Sequence, residues 1–270
     1  MKRFLTSPLV RLVLTIAIFV ALFAGASVLR GGHRSMATSI VVTWIVVGLL
    51  LGAVALIERF ATGRGLASIG LNPQHAARDL VLGLAFGAVL FCAVVAELAI
   101  SGHFRITAFH LTWDLAFAIL LTLAGAALEE LFFRGVVFRL LDEWAGQWIA
   151  LALSAVLFGA AHAFNPGATW VSTLAIALEA GVLLGAAYIV TNNLWFPIGL
   201  HFGWNYFEGP IFGTQVSGHA SLASALTSQI TGPAWLTGGT FGPEAGAGAI
   251  ATSLIASILL LRYSAARTTR

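Results

Sequence analysis

Long apolar runs alternate with short polar breaks along the whole chain. The runs cover about 8–29, 37–57, 79–100, 113–141, 146–163, 168–190, 194–207 and 245–262. A helix needs roughly 17–25 mostly apolar residues to cross a bilayer, so all but the short seventh run are long enough. None of them alternates apolar and polar residues with period two, which argues against a membrane β-barrel. The pattern therefore predicts an all-α fold: one polytopic transmembrane bundle of about eight helices occupying 1–270. The first run, behind Met1-Lys2-Arg3 and ending near Ala24-Gly25-Ala26, resembles a secretory signal. Its spanning length, with no soluble domain after it, makes it the first helix of the bundle.

Composition agrees. Charged side chains make up 9% of the residues and hydrophobic ones 59%, whereas soluble domains average about 25% and 45–50%. That excludes a soluble globular enzyme, a disordered protein and a disulfide-rich secreted scaffold. Cys92 is the single cysteine and cannot form an intramolecular disulfide. The net charge of +3 includes no basic cluster with interleaved aromatics, so no nucleic-acid partner is expected. The cations read instead as orientation charge. With eight crossings, Lys2, Arg3, Arg11, Arg59, Arg64, Arg78, Arg139, Arg262, Arg267 and Arg270 share a side, against Arg30, Arg34 and Arg105 on the other. This bias predicts a multi-pass inner- or plasma-membrane protein with both termini in the cytoplasm. The stretch 208–244, with seven Gly, three Pro and no Lys or Arg, is a long extracytoplasmic connection, either folded over the mouth of the bundle or a linker. Three pairs of glycines four apart, Gly48/Gly52, Gly83/Gly87 and Gly181/Gly185, predict close helix packing.

Ionisable groups inside a bilayer cost about 2.5–3.5 kcal/mol each on insertion scales, so they normally face a protein interior or a watery cavity. Seven of the eleven acids (Glu58, Asp79, Asp114, Asp142, Glu143, Glu208 and Glu244) fall at borders or in loops. The apolar runs themselves hold Glu97, Glu129, Glu130, Arg134, His162, Glu179 and His201, with Asn205 as a buried amide. Glu130 and Arg134 stand four apart and suit an ion pair on one helical face. Glu129 then points about 100° away, without a local partner, as suits a general base. His201 and Asn205 share a face of the seventh run. Histidine with glutamate can polarise a water, and an amide can hold an oxyanion. Two histidines and one glutamate (His162, His201 and Glu129) would equally satisfy a zinc ion with an open position. Glu97 and Glu179 read as packing acids. Counted from the run ends, Glu129, His162 and His201 lie about 18, 24 and 10 Å deep, which allows a shared cavity.

Three motifs in the core segment 113–207 resemble the CPBP family of intramembrane proteases, also called the CAAX-processing or type II CAAX prenyl endopeptidase family. They are Glu129-Glu130-Leu131-Phe132-Phe133-Arg134 as EExxxR, Phe158 to His162 as FxxxH, and His201 to Asn205 as HxxxN. The resemblance implies a conical membrane-embedded chamber that hydrolyses peptide bonds of membrane proteins or peptides. It implies that Glu129 and His162 activate water, that His201 and Asn205 bind the oxyanion, and that Glu130, Arg134 and Phe158 shape the site. The family's proposed mechanism needs no metal, although metal dependence has been argued. The competing readings are a transporter or proton-coupled channel with a Glu/His relay, and an inactive peptide-binding scaffold.

Overall fold

The computed structural model describes residues 6–30 and 35–268. Lys2, Arg3, Arg34 and Arg270 from the orientation count lie outside the described residues. The chain is a helical bundle. Helices α1 (Pro8–Arg30), α2 (Met36–Thr62) and α3 (Ala76–Ile100) are followed by α4 (Asp114–Ala145), α5 (Gln147–Phe164) and α6 (Trp170–Thr191). Helix α7 (Trp195–Tyr206) and the final helix α8 (Ala247–Thr268) complete it. By length and composition, seven of these helices can cross a membrane, which makes the fold an all-α polytopic bundle. The expected eighth crossing is α7, extended by a wide turn at Phe207–Ile211. Its 195–211 span is about 25 Å long at 1.5 Å per residue, just under the hydrocarbon thickness.

Helix α7 is also the helix most tightly embraced by the rest of the bundle, and small residues explain how. A Cβ on Gly83 or Gly87 of α3 would collide with the Phe196 or Leu200 carbonyl of α7. A Cβ on Gly199 or Gly203 of α7 would collide with Leu80 or Leu84 backbone of α3. The two backbones thus press into each other through paired glycines, and Gly199/Gly203 is a pair the sequence reading passed over. Gly181 and Gly185 make the same approach to Ala155 and Leu151 of α5. Gly48 and Gly52 face open space, so the packing expected there does not occur within the described residues. The start of α7 is fixed by Asn193, whose side-chain oxygen accepts from the Trp195 and Phe196 amides and whose amide donates to Asp79 at 2.9 Å.

Helix α1 is a working part of the bundle. Phe19 stacks on Phe132 of α4 at 3.8 Å between ring centres. Arg11 is buried against Glu58 of α2 and Glu143 of α4. Glu58 and Asp79, read from the sequence as border acids, are likewise buried, because each has found a partner there.

Of the two readings of the long connection, the structure shows the folded one. Strand β1 (Phe104–Phe109) pairs antiparallel with β4 (Leu226–Ile230), Phe104 facing Ile230 and Phe109 facing Leu226 around a bulge near Ala108. Between them in sequence, β2 (Gln215–Val216) and β3 (His219–Ala220) form a tight hairpin. Its two turn residues, Ser217 (φ 48°) and Gly218 (φ 81°), both have positive φ, as the favoured two-residue hairpin turn requires. Gly218 has no room for a Cβ beside the Pro166 carbonyl. The stretch 208–244 is therefore folded onto the bundle, Asn165 donating to the Ser217 carbonyl at 2.9 Å and the Gly218 amide to Phe241 at 2.6 Å.

Candidate active site

Three wide helical turns mark the interior: Phe133–Phe138 in α4, Ala177–Gly181 in α6 and Phe207–Ile211 after α7. Such turns are rare and cluster at functional sites. Each lies beside or contains a buried acid: Glu130, Glu179 and Glu208 respectively.

Glu129 and Glu130 take different faces of α4, as adjacent helical residues must. Glu130 is fully buried and accepts from Arg134 at 2.7 Å. It also accepts from His201 Nδ1 at 3.0 Å. Arg134 donates at 3.1 Å to the Ala180 and Gly181 carbonyls, at the end of the wide turn in α6. Its guanidinium lies 4.7 Å from the centre of the Phe158 ring, a cation–π contact. Phe158 in turn abuts His162 and His201, with ring centres 4.7 and 6.1 Å away. These contacts lock the two imidazoles in place.

Glu129 Oε2 lies 4.0 Å from His162 Nε2 and 3.9 Å from His201 Nε2. It is buried and, among the described residues, has no hydrogen-bond partner. The tautomers follow from the outer contacts. His162 Nδ1 faces the Phe158 carbonyl at 2.8 Å, and His201 Nδ1 faces the Glu130 carboxylate. Both partners accept, so both Nδ1 atoms must donate. Each neutral ring then turns a lone pair inward, at the carboxylate of Glu129. Three acceptors facing one another require a bridging donor or a cation.

A tetrahedral zinc with bonds of about 2.0–2.2 Å holds neighbouring ligands about 3.3 Å apart. At 3.9 and 4.0 Å the donor types suit zinc but the spacing does not fit it as placed. Among the described residues, no group of three His, Cys, Asp or Glu is arranged to hold a metal ion. A water, with hydrogen bonds of about 2.8 Å, bridges partners about 4–4.6 Å apart, which matches the spacing.

His162 and His201 also wall a small cavity with Asn205, Trp204 and Phe158. Glu179, Ser217 and Glu244 close its other side. Sequence reasoning placed Glu244 and Glu208 in a loop, and both are buried. A signal did exist: they are the two acids in 208–244, a stretch with no Lys or Arg to balance them. Glu97, by contrast, lies away from this cavity, its carboxylate against Gly248 of α8.

Residues 110–207 match the family model described as Type II CAAX prenyl endopeptidase Rce1-like. The match takes in all three motifs and the helices that carry them. This segment is similar to that family. The similarity, with seven helices long and apolar enough to cross a membrane, supports a multi-pass membrane protein of the CAAX-protease type in general terms. No curated protein and no solved structure matches the chain.

Proposed function

We propose that the chain is an intramembrane endopeptidase in which Glu129 and His162 activate a water for attack on a peptide carbonyl, without a metal. The observation that carries this reading is the convergence of Glu129 Oε2 on two imidazole edges at 3.9 and 4.0 Å. A water between them donates to Glu129 and to His162. An additional proton on His201 turns its Nε2 into a donor, with Glu130 at 3.0 Å to stabilise the imidazolium. Glu129 and Glu130 then balance Arg134 and His201, so the group carries no net charge into the membrane. Unbalanced buried charge would cost several kcal/mol per ion.

In the reaction, Glu129 takes one proton from the water as its oxygen bonds the carbonyl carbon. The oxyanion that forms accepts from His201 Nε2 and the Asn205 amide. Breakage of the carbon–nitrogen bond then returns the proton from Glu129 to the leaving amine. General-base catalysis is worth about 10²–10⁴ in rate and a single oxyanion donor about 10²–10³. Substrates are membrane-associated proteins or peptides.

The test uses purified protein in liposomes with a fluorogenic membrane-anchored peptide library. Cleavage should survive chelation with less than about a tenth of an equivalent of zinc by elemental analysis. Glu129→Gln and His162→Ala should abolish it while helical content stays unchanged. Cleavage by Glu129→Gln at the parental rate would sink the reading. Loss on chelation with recovery on added zinc would leave the protease reading and overturn the metal-free mechanism.

A further inference from the structure

Glu179 and Glu244 on the wall of the cavity, and Glu208 near them, have no place in that mechanism. Glu179, Glu208 and Glu244 are each at least 97% buried and lie within electrostatic reach of one another. Arg134, whose charge reaches Glu179, is already committed to Glu130 and two carbonyls. His162, near Glu244, uses its Nδ1 on the Phe158 carbonyl. Glu179 Oε1 meets the Ser253 hydroxyl at a long 3.4 Å. Among the described residues, no well-formed hydrogen bond reaches Glu179 Oε2, either Glu208 oxygen or Glu244 Oε1, although Ser217 lies beside the Glu244 carboxyl and the Glu244 amide beside Glu208. The Glu208 and Glu244 carboxyls are close neighbours, and two acceptor-only groups cannot satisfy each other.

A second polar group on the same cavity is independently unsatisfied. Trp204, also buried, has an indole N–H with no acceptor among the described residues. An indole N–H can only donate. The cavity therefore presents several acceptors on one wall and an unused donor beside Asn205. The complement is a compact group with several N–H donors joined to a carbonyl. A primary ammonium carries three donors, and in a peptide a carbonyl accompanies it.

We infer that Glu179 and Glu244, backed by Glu208, form a subsite for a primary ammonium of the substrate, with Trp204 Nε1 donating to an adjacent peptide carbonyl. This rests on the proposed peptidase reading and adds to it the substrate class: peptides positively charged next to the scissile bond. The ammonium has two sources, a lysine side chain or a free peptide amino terminus. Unlike a permanently charged internal cation, a substrate supplies the charge only when bound.

The experiment compares matched peptides on the parent protein in liposomes. One arm sets acetylated lysine peptides against acetylated norleucine peptides. The other sets norleucine peptides with a free amine against acetylated ones. The subsite predicts at least a tenfold preference for the ammonium in one arm, and that arm identifies the source. Glu179→Gln and Glu244→Gln should each bring the preferred ratio towards one, and one folded variant suffices. Ratios within twofold in both arms of the parent would overturn the subsite. Competition binding to the Glu129→Gln protein separates the two ideas. Ammonium-selective binding without any cleavage by the parent would overturn the peptidase reading and keep the subsite, whereas unselective or undetectable binding there, with unselective or absent cleavage, would overturn the subsite.

Discussion

Two clusters of charge are buried in this bundle, and they are built on opposite rules. At the end where α1 begins and α2 finishes, Glu58 accepts from Arg11 at 2.9 Å and Arg139 at 2.7 Å. Glu143 accepts from Arg139 at 2.9 Å and from Arg11, with Arg64 at 3.7 Å. Acids and arginines alternate across α1, α2 and α4, and the carboxylates are filled. Beside the cavity, Glu129 faces the Nε2 edges of two imidazoles, and Glu179, Glu208 and Glu244 lie near one another. Low dielectric makes both arrangements expensive to disturb. The first has spent its hydrogen bonds on holding helices together. The second keeps acceptors unused, and unused buried acceptors are what a water, a proton or a substrate can occupy.

The comparison breaks most visibly at Glu129. Glu129→Gln keeps the shape and removes the proposed base, so cleavage should fall by about 10²–10⁴ while the melting temperature barely moves. Circular dichroism and peptide cleavage on the same preparation check it. If stability drops as well, Glu129 belongs with the structural charges.

Glu58→Gln should do the reverse. It leaves Arg11 and Arg139 buried without their shared carboxylate, and removing one partner of such a group costs about 3–5 kcal/mol. Thermal unfolding in detergent reads the loss, and cleavage per folded molecule should stay near parental. An unchanged unfolding midpoint would mean that the arginines find other acceptors.

Gly87→Ala separates helix approach from ion pairing. The added methyl has to displace the Leu200 backbone, next to His201. Overpacking of this kind costs about 1–3 kcal/mol. It should also weaken cleavage by shifting His201 against Glu129. Full activity with lowered stability would show that α7 moves as a rigid body with its partners.

The sequence made one of these clusters far more legible than the other. Glu129, Glu130, Arg134, His162, His201 and Asn205 stand out because each is a polar residue in an apolar run, and their 3.6-residue spacing already separates Glu129 from the Glu130–Arg134 pair. The structure brings Glu129, His162 and His201 together and puts Asn205 on the same cavity. Arg11, Glu58 and Arg139 are hidden at run ends, where charge normally meets water, and their burial depends on contacts across helices that no local pattern encodes. Glu244 arrives by a folded loop, and the β1–β4 ribbon joins segments more than 100 residues apart. Run lengths gave the crossings well because bilayer thickness is a local constraint. Loop folding has no such ruler.

The smallest effect expected is on the pH dependence of stability, through Glu244. Burial raises its carboxyl above the ordinary glutamate range, and Ser217, His162 and Glu208 pull it only partly back. An unfolded glutamate loses its proton near pH 4.3. Above that pH the folded Glu244 still holds its proton while the unfolded one does not. The folded state then binds more protons, so stability contributed by this group is full below about pH 4.3 and declines as pH rises through the folded value. One proton gives a slope of at most about 1.4 kcal/mol per pH unit. Glu244→Gln cannot titrate, so its unfolding midpoint should fall less steeply than the parent's over this range. Parallel pH profiles for parent and variant would mean that Glu244 is ionised in the folded protein, paired with a cation as Glu58 is, and the contrast between the two clusters would fail at that residue.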